Sequence, residues 1–478
     1  MTRELFRFNG VSGATGEYLL PPQDVAAVVR AARRDKPDDD RRRHMNVAAD
    51  THNTASRALP FNVAPEDIAR AGWGIVFHRD ESIAVKRELD ALREHRSKTV
   101  VDGTRLKVLD YLPGERPPDW LTRHQVRPGA VTPTKVPYYL LVVGSAERIP
   151  FQFTQDLDVE YSVGRLFFET PEEYGRYVQS VIAYERATKI TNAKTVAFFG
   201  TRHDFDGATQ LSADYLVAPL AEQPIEAGGQ TVCASTGFRS STKIGSGASV
   251  EHLRELLRGK SENGRPSLLF TATHGVGFPS GDARQRAAQG ALLCQDWPAV
   301  GQISDTHYLS AVAVPDDANL SGLIGVFFAC YGGGTPRYDR FWRGESTGPQ
   351  QIAPSPFMAA LPQRLLAHPG GGALACIGHI ERAWATSIAH PDAGPQLQPW
   401  QSLLGHILCG KPVGFALRDM NDKYAALSVA LADFQDLAPT DPKVDDVTLA
   451  ETWLDRNDAG GYVLLGDPAA HLRPNALA

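Results

Sequence analysis

The sequence has 478 residues, of which 42% are hydrophobic and 22% charged, and its formal net charge is -6. Such a chain is long enough for one large globular unit or two fused ones. Its basic residues are interspersed with acidic ones, so a nucleic-acid partner, which needs clustered positive charge, is not expected.

Apolar runs and cysteines narrow the class further. No stretch approaches the roughly 20 consecutive apolar residues of a membrane helix, and the first residues lack the apolar core of a secretory signal. We therefore expect a cytoplasmic protein without a membrane partner. The five cysteines are scattered and form no CxxC pair, which argues against a disulfide framework or a zinc site. The sequence predicts neither a metal nor another cofactor.

The first 135 residues are expected to form an N-terminal region, for which a regulatory role is considered. The run RRDKPDDDRRRH at 33–44 offers little apolar surface for burial and predicts a mobile charged loop near 33–50. From about residue 64 the spacing of apolar residues predicts a helix, a short strand and a second helix.

Apolar strand patterns alternate with helical patterns between residues 136 and 235, and the same rhythm returns after residue 249. This alternation predicts an α/β fold of mostly parallel strands with crossover helices on both faces. Two sheets of similar design and one continuous sheet fit the pattern equally well.

Two reactive side chains each follow a fully apolar strand. His274 ends SLLFTATHG, and Cys330 ends GLIGVFFAC and precedes GGG after one tyrosine. Ligands of open parallel sheets bind beyond the carboxyl ends of the strands, so both residues are well placed for chemistry. The order and spacing are those of caspase-type enzymes, with the histidine about 50 residues upstream.

These residue types suit nucleophilic catalysis. A thiolate at Cys330 would attack a carbonyl carbon, and His274 would take and return the proton. The backbone amides of Gly275 and Cys330 could stabilise the oxyanion. The alternative is a structural role, because a histidine after a strand often caps it and a cysteine in VFFAC most often fills a core.

Several segments resemble the clan of caspases, separases and gingipains, in particular the bacterial CHAT domains and the gingipain-type peptidases. They are THG at 273–275, FFACYGGGTPRYDRF at 327–341, GGALACIGHIERAW at 371–384 and the terminal YVLLGDPAAHLRP. The resemblance implies a caspase-like three-layer sandwich, with a non-catalytic subdomain at 136–248 and a catalytic one at 249–478. It also implies a cysteine endopeptidase with a Cys/His dyad, and hence a protein or peptide substrate.

The same resemblance implies a pocket for the residue before the cut. Trp384 falls where gingipain-like enzymes place one wall of this pocket, and Asp204 or Asp206 falls near the position of its acid; Glu381 is a further acid nearby. An acid there would favour cleavage after a basic residue. For each aspartate the commoner role is a helix cap.

Two other functions stay open at this stage. One is a catalytically silent module of the same fold that binds a peptide or partner, and the other is an acyl transferase or amidase that uses the same dyad. Since a cytoplasmic peptidase needs restraint, we also expect the N-terminal region, or the loop from Gly277 to Asp317, to cover the cleft until a regulatory partner or self-cleavage displaces it.

Overall fold

A ten-stranded sheet is the central element of the computed structural model, which describes residues 5–52, 57–298, 301–340, 350–390, 394–437 and 445–478. Within these described ranges, eight two-residue strands lie outside this sheet. The strands are β1 (Val11–Ser12), β2 (Trp73–His78), β3 (Leu106–Tyr111), β4 (Tyr139–Val143), β5 (Ser162–Leu166), β6 (Ala193–Gly200), β7 (Arg239–Ile244), β8 (Pro266–Ala272), β9 (Val276–Gly277), β10 (Leu292–Leu293), β11 (Tyr308–Leu309), β12 (Ile324–Phe328), β13 (Gly334–Thr335), β14 (Phe357–Met358), β15 (Ala375–His379), β16 (Ala389–His390), β17 (Gly394–Pro395) and β18 (Tyr462–Gly466).

The strand order is β3-β2-β4-β5-β18-β15-β12-β8-β6-β7. The first five strands of this order, β3, β2, β4, β5 and β18, are parallel to one another. The last five, β15, β12, β8, β6 and β7, are also parallel to one another. The two halves meet where β15 runs antiparallel to β18, with Ala375 opposite Gly466. The sheet is therefore one continuous layer made of two parallel halves of opposite direction.

Helices connect the strands. They are α1 (Val25–Arg34), α2 (Asp39–His52), α3 (Ile68–Ala71), α4 (Ile83–Glu88), α5 (Asp90–Ser97), α6 (Pro117–Arg123), α7 (Phe151–Asp158), α8 (Pro171–Arg186), α9 (Gly207–Ser212), α10 (Ala218–Glu222), α11 (Val232–Ser235), α12 (Val250–Arg258), α13 (Gln285–Ala288), α14 (Ala360–Leu366), α15 (Gln398–Leu408), α16 (Val413–Ala416), α17 (Arg418–Leu437) and α18 (Asp446–Ala459), and a π-helical turn, Ala213–Val217, joins α9 to α10.

Local sequence explains helix α12 well. The Ser249 hydroxyl accepts the backbone N–H of His252 at the N-terminus, and Gly259 ends the helix in the left-handed region with φ 70°. Both are favoured helix boundaries, since the serine satisfies a free donor and glycine carries no Cβ. The apolar residues Val250, Leu253, Leu256 and Leu257 share one buried face.

The fold class expected from the sequence, α/β with a mostly parallel central sheet, is confirmed. Strands β2, β4, β5, β8, β12, β15 and β18 are buried at every position. Because successive side chains of a strand point to opposite faces, both faces of the sheet are covered. Of the two open arrangements, the structure has the single continuous sheet.

The expected boundaries at residues 135 and 248 stay predictions, and strand pairing crosses both of them. Strand β2, from the first 135 residues, pairs with β4. Strand β6 pairs with β8 across residue 248, and β18 from the end of the chain pairs with β5.

The expectation of a mobile charged loop near 33–50 is wrong, because most of this run is helical. Helix α2 packs on α17, and Arg42 forms ion pairs with Asp433 and Asp436 of that helix. Met45 and Ala48 are buried. A charged run with so little apolar surface does not order by itself. Here it is helical because its charges form ion pairs with opposite charges on a distant helix.

Candidate active site

The proposed reactive residues lie at one edge of the sheet. Strands β6, β8, β12 and β15 are neighbours and run parallel, so the segments that follow them emerge together. Phe328 is directly opposite Ala272 in the pairing of β12 with β8, and His274 and Cys330 each come two residues later. The structure thus brings the two predicted residues to the same place.

His274 is held by contacts on both ring nitrogens and is 1% exposed. Nδ1 accepts the backbone N–H of Gly10 at 2.7 Å, and Nε2 lies 2.5 Å from Oδ2 of Asp206. Since Nδ1 acts as an acceptor, the ring proton belongs on Nε2, which donates it to the carboxylate.

Asp206 has a different role from the predicted pocket acid. Burial would raise the pKa of Asp206, but electrostatic attraction to His274 and hydrogen bonds from His274, Tyr18 and Thr209 outweigh burial and hold that pKa well below its usual range. Oδ1 also accepts the backbone N–H of Ala208 at the start of α9. The carboxylate therefore fixes the imidazole, as in a nucleophile–base–acid triad.

Asp204 does not take the predicted pocket role either. Its side chain is 97% exposed and pairs with Arg202 at 3.2 Å. A surface ion pair of this kind contributes little energy.

Cys330 is completely buried. The Cys330 thiol donates a hydrogen bond to the carbonyl oxygen of Asn9, with Sγ 2.8 Å from that oxygen, and Sγ accepts the backbone N–H of Ala383 at 3.2 Å. Burial raises the pKa of the Cys330 thiol above its ordinary value, so the sulfur stays protonated at neutral pH. The N-terminal segment supplies part of this cover.

The backbone turns sharply at the cysteine. Tyr331 adopts the left-handed conformation with φ 59°, which costs a non-glycine residue on the order of 1 kcal/mol. Gly275 lies directly against this turn: a Cβ built on it would come 1.8 Å from the carbonyl oxygen of Cys330. Only glycine fits there. The roles of the Gly275 and Cys330 amides as an oxyanion site stay predictions.

Trp384 and Glu381 follow β15 and are both buried. The Trp384 ring packs against Phe8 with centroids 4.0 Å apart and edge-on against Trp453. Glu381 accepts the backbone N–H of Arg340. Burial, followed by repulsion from a neighbouring carboxylate, raises the pKa of Glu381 to about 8. Glu381 is therefore an interior group.

A cavity of about 400 Å³ lies beside Tyr331. Its wall includes Phe278, Asp339 and Arg382, and the last two form a buried ion pair. The cavity combines apolar surface with a neutralised charge pair, so it can receive an uncharged side chain beside Tyr331.

Sequence reasoning missed the N-terminal residues of the site. Phe8, Asn9 and Gly10 all contact predicted site residues, although more than 260 positions separate them from His274 and Cys330 in the chain. The dipeptide Asn9–Gly10 is a common turn signal, and nothing in its local pattern points to a site.

In the part of the chain that the structure describes, no cluster of histidine, cysteine or acidic side chains could hold a metal ion. No described helix is long and apolar enough to cross a bilayer.

Two solved structures resemble this chain at low identity. One, entitled "Structure of Protease", matches with a TM-score of 0.45 and 12% identity, over 84% of this chain and 78% of that chain. The other, a complex of Porphyromonas gingivalis RgpB pro- and mature domains, matches with a TM-score of 0.41 and 12% identity, over 84% and 80%. No protein-family model and no curated protein matches the sequence. At these values the likeness carries no argument about chemistry, which rests on the site itself.

Proposed function

We propose that this chain is a cysteine endopeptidase in which Cys330 is the nucleophile and His274 the general base and acid. One observation carries the proposal: Cys330 Sγ and His274 Nδ1 contact opposite ends of a single peptide group, the carbonyl of Asn9 and the N–H of Gly10. Peptide hydrolysis needs a nucleophile at the carbonyl and a proton donor at the nitrogen.

The chain's own groups supply each step. His274 takes the thiol proton on Nδ1 as sulfur attacks, and Asp206 stabilises the resulting imidazolium through Nε2–H. The proton then passes to the leaving nitrogen. The amides of Gly275 and Cys330 are the proposed donors to the oxyanion.

The family resemblance implies cleavage after a basic residue, and this preference is a finer part of the proposal. The two aspartates predicted to bind that basic residue are placed differently. Asp206 is engaged by His274 and Asp204 faces solvent. A peptide panel with arginine, lysine, aspartate or asparagine before the cut tests it directly.

The second candidate is a catalytically silent peptide-binding module of the same fold. The complete burial of Cys330 and the raised pKa of its thiol favour this candidate, since a buried thiol is a poor nucleophile. The two candidates differ in whether the thiol can react.

A peptidyl acyloxymethyl ketone, which alkylates cysteine peptidases at the nucleophile, separates them. We expect labelling at Cys330 in the full chain, none in Cys330→Ala or His274→Ala, and faster labelling in Phe8→Ala, which loosens the N-terminal segment. Cys409 is exposed, so Cys409→Ser is the control for unselective alkylation and should label like wild type. An unlabelled Cys330 in a folded Phe8→Ala protein that cleaves no panel peptide would support the silent module.

A further inference from the structure

The N-terminal segment, residues 6–20, lies against the candidate site, and its residues 9–12 are bound there through backbone hydrogen bonds. Asn9 donates its N–H to the carbonyl oxygen of Ala383 at 3.1 Å. Val11 donates to Gly275 at 3.4 Å, and β1 then pairs in parallel with β9. Gly10, between them, donates to Nδ1 of His274. The backbone N–H groups of Asn9, Gly10 and Val11 are thus all bound, on one side to the loop after β15 and on the other to the segment after β8. A peptide that adds a strand to its receptor is bound in this way.

The direction of the segment matches that of a bound substrate. The Cys330 thiol donates to the oxygen of Asn9, with Sγ 2.8 Å from it, and the next N–H, that of Gly10, donates to Nδ1 of His274 at 2.7 Å. If the segment ran through the site in the opposite direction, the imidazole of His274 would face a carbonyl oxygen of the segment and could not protonate a leaving amine. The bond between Asn9 and Gly10 therefore occupies the place of a scissile bond.

The side chains on either side of this bond are accommodated closely. Phe8, 2% exposed, packs on Trp384, and Asn9 is 1% exposed. Gly10 has φ 103°, and a Cβ there would lie 3.0 Å from both Sγ of Cys330 and a methyl group of Leu19. Glycine is thus required after the bond, and an aromatic side chain fits before asparagine.

The Asn9 side chain is buried, and within the described residues neither its Oδ1 nor its Nδ2 has a hydrogen-bond partner. A buried amide without partners is costly, so its presence needs a reason other than stability.

We propose that the Asn9–Gly10 bond is a self-cleavage site of this chain, and that the site accepts asparagine before the cut. This inference rests on the proposed function. Sγ of Cys330 bonds to the carbonyl carbon of Asn9, the bond to the Gly10 nitrogen breaks, and His274 gives that nitrogen the thiol's proton. Water then hydrolyses the thioester, which releases a carboxylate at Asn9 and restores the thiol.

Cleavage changes the state of the site. Asn9 leaves its position over Sγ, while Gly10 becomes a free amino terminus that β1 keeps close to the cleft through its pairing with β9. Before cleavage the segment blocks other substrates, so one bond break converts a covered site into an open one. The predicted cover of the cleft by the N-terminal region would thus be removed by cleavage of one bond, that between Asn9 and Gly10.

The test follows the intact mass and the N-terminal sequence of the full chain, purified through a C-terminal tag and incubated at neutral pH. We expect a product that begins Gly10-Val11-Ser12, absent in Cys330→Ala and His274→Ala. Asn9→Gln adds one methylene in a tight site and should slow cleavage about 10-fold or more. Cleavage that persists in Cys330→Ala would show spontaneous asparagine chemistry and overturn the proposal.

The chain contains a matched control. Asn263–Gly264 is the same dipeptide, exposed in the loop before β8, at the end of that strand opposite the site. It should stay intact in every variant, and Asn263→Gln should cleave at Asn9 at the wild-type rate. Cleavage at Asn263 in place of Asn9 would contradict the assignment.

A second measurement separates this inference from the proposed function. A quenched fluorescent peptide of residues 5–14 and its Asn9→Arg counterpart are offered to the full chain alongside the acyloxymethyl ketone. If Cys330 is labelled or the arginine peptide is cut while Asn9–Gly10 survives in both chain and peptide, self-cleavage is wrong and the peptidase stands. If Cys330 is neither labelled nor active on any peptide, both proposals fail.

Discussion

Asp206 is the residue on which the geometry of the site depends. Its Oδ1 accepts hydrogen bonds from the Tyr18 hydroxyl and the Ala208 N–H, and its Oδ2 accepts the Nε2 proton of His274. Each of these three donors thus needs an Asp206 oxygen as its acceptor. This arrangement keeps the ring proton of His274 on Nε2 and leaves Nδ1 unprotonated, so Asp206 is a positioning residue.

Asp206→Asn should reverse the histidine tautomer. With its oxygen kept by Tyr18 and Ala208, the new NH₂ group faces Nε2, which must then accept, and the ring proton moves to Nδ1. We expect Cys330 labelling to fall by about 10²- to 10⁴-fold, with ¹⁵N-histidine spectra showing Nδ1 in place of Nε2 as the protonated nitrogen of His274. Asp204→Asn, two residues away and exposed, is the control and should label within about twofold of wild type. An unchanged tautomer with lost labelling would assign Asp206 a merely structural role.

At the scale of elements, the loop after β15 joins the site to the end of helix α18. Asp458 accepts the backbone N–H of Trp384 at 2.9 Å and the hydroxyl of Ser387 at 2.6 Å. Burial raises the pKa of Asp458 to about 7. The wall that packs on Phe8 is therefore held by a carboxyl group that is costly to ionise.

This burial predicts a pH dependence of stability. Because the folded pKa of Asp458 lies above its unfolded value, the stabilising contribution is complete below about pH 4 and is lost as pH rises through about 7. In Asp458→Asn the Oδ1 can still accept the Trp384 N–H, and the new NH₂ group can donate to the Ser387 hydroxyl, which donates to the Trp384 carbonyl. This side chain cannot ionise, so the melting temperature should fall less than that of wild type between pH 5 and pH 8. Asp455→Asn, on the same helix with a 37% exposed side chain, should follow the wild-type profile. Parallel profiles for wild type and Asp458→Asn would refute the argument.

For the whole molecule, the junction of the two half-sheets depends on a buried charge cluster next to β18. Asp467 follows this strand and accepts hydrogen bonds from Trp73 Nε1 at 2.9 Å and Arg96 Nε at 2.7 Å. Arg96 also forms two hydrogen bonds to Glu185. The cluster ties β2, α5 and α8 to the strand that borders the second half.

Arg96→Met should destabilise the whole fold. It keeps the volume but leaves two buried carboxylates without their cation, which costs about 3–5 kcal/mol in the free energy of unfolding. Urea denaturation measures this loss. Lys98→Met removes an exposed pair with Glu94, whose side chains are 61% and 72% exposed, and should change the free energy by less than about 0.5 kcal/mol. Similar losses for both variants would contradict a special role for the Arg96 cluster.

Local pattern determines much of this protein. Apolar runs predict the α/β class and strands β8 and β12, because burial on both faces of a parallel sheet requires unbroken hydrophobic sequences. Since parallel strands end at one edge, the sequence alone predicts that His274 and Cys330 lie together. Ser249 and Gly259 likewise mark the ends of α12 without tertiary information.

Contacts between distant segments decided the rest. The helical state of α2 depends on acids of α17 that lie almost 400 positions away, and whether Asp206 caps a helix, lines a pocket or orients an imidazole depends on which side chain meets it. The cover over Cys330 comes from Asn9, which no spacing rule relates to a strand end so distant. Periodicity reports only on neighbours along the chain, whereas hydrogen bonds and ion pairs form between whatever the folded chain brings within about 3 Å.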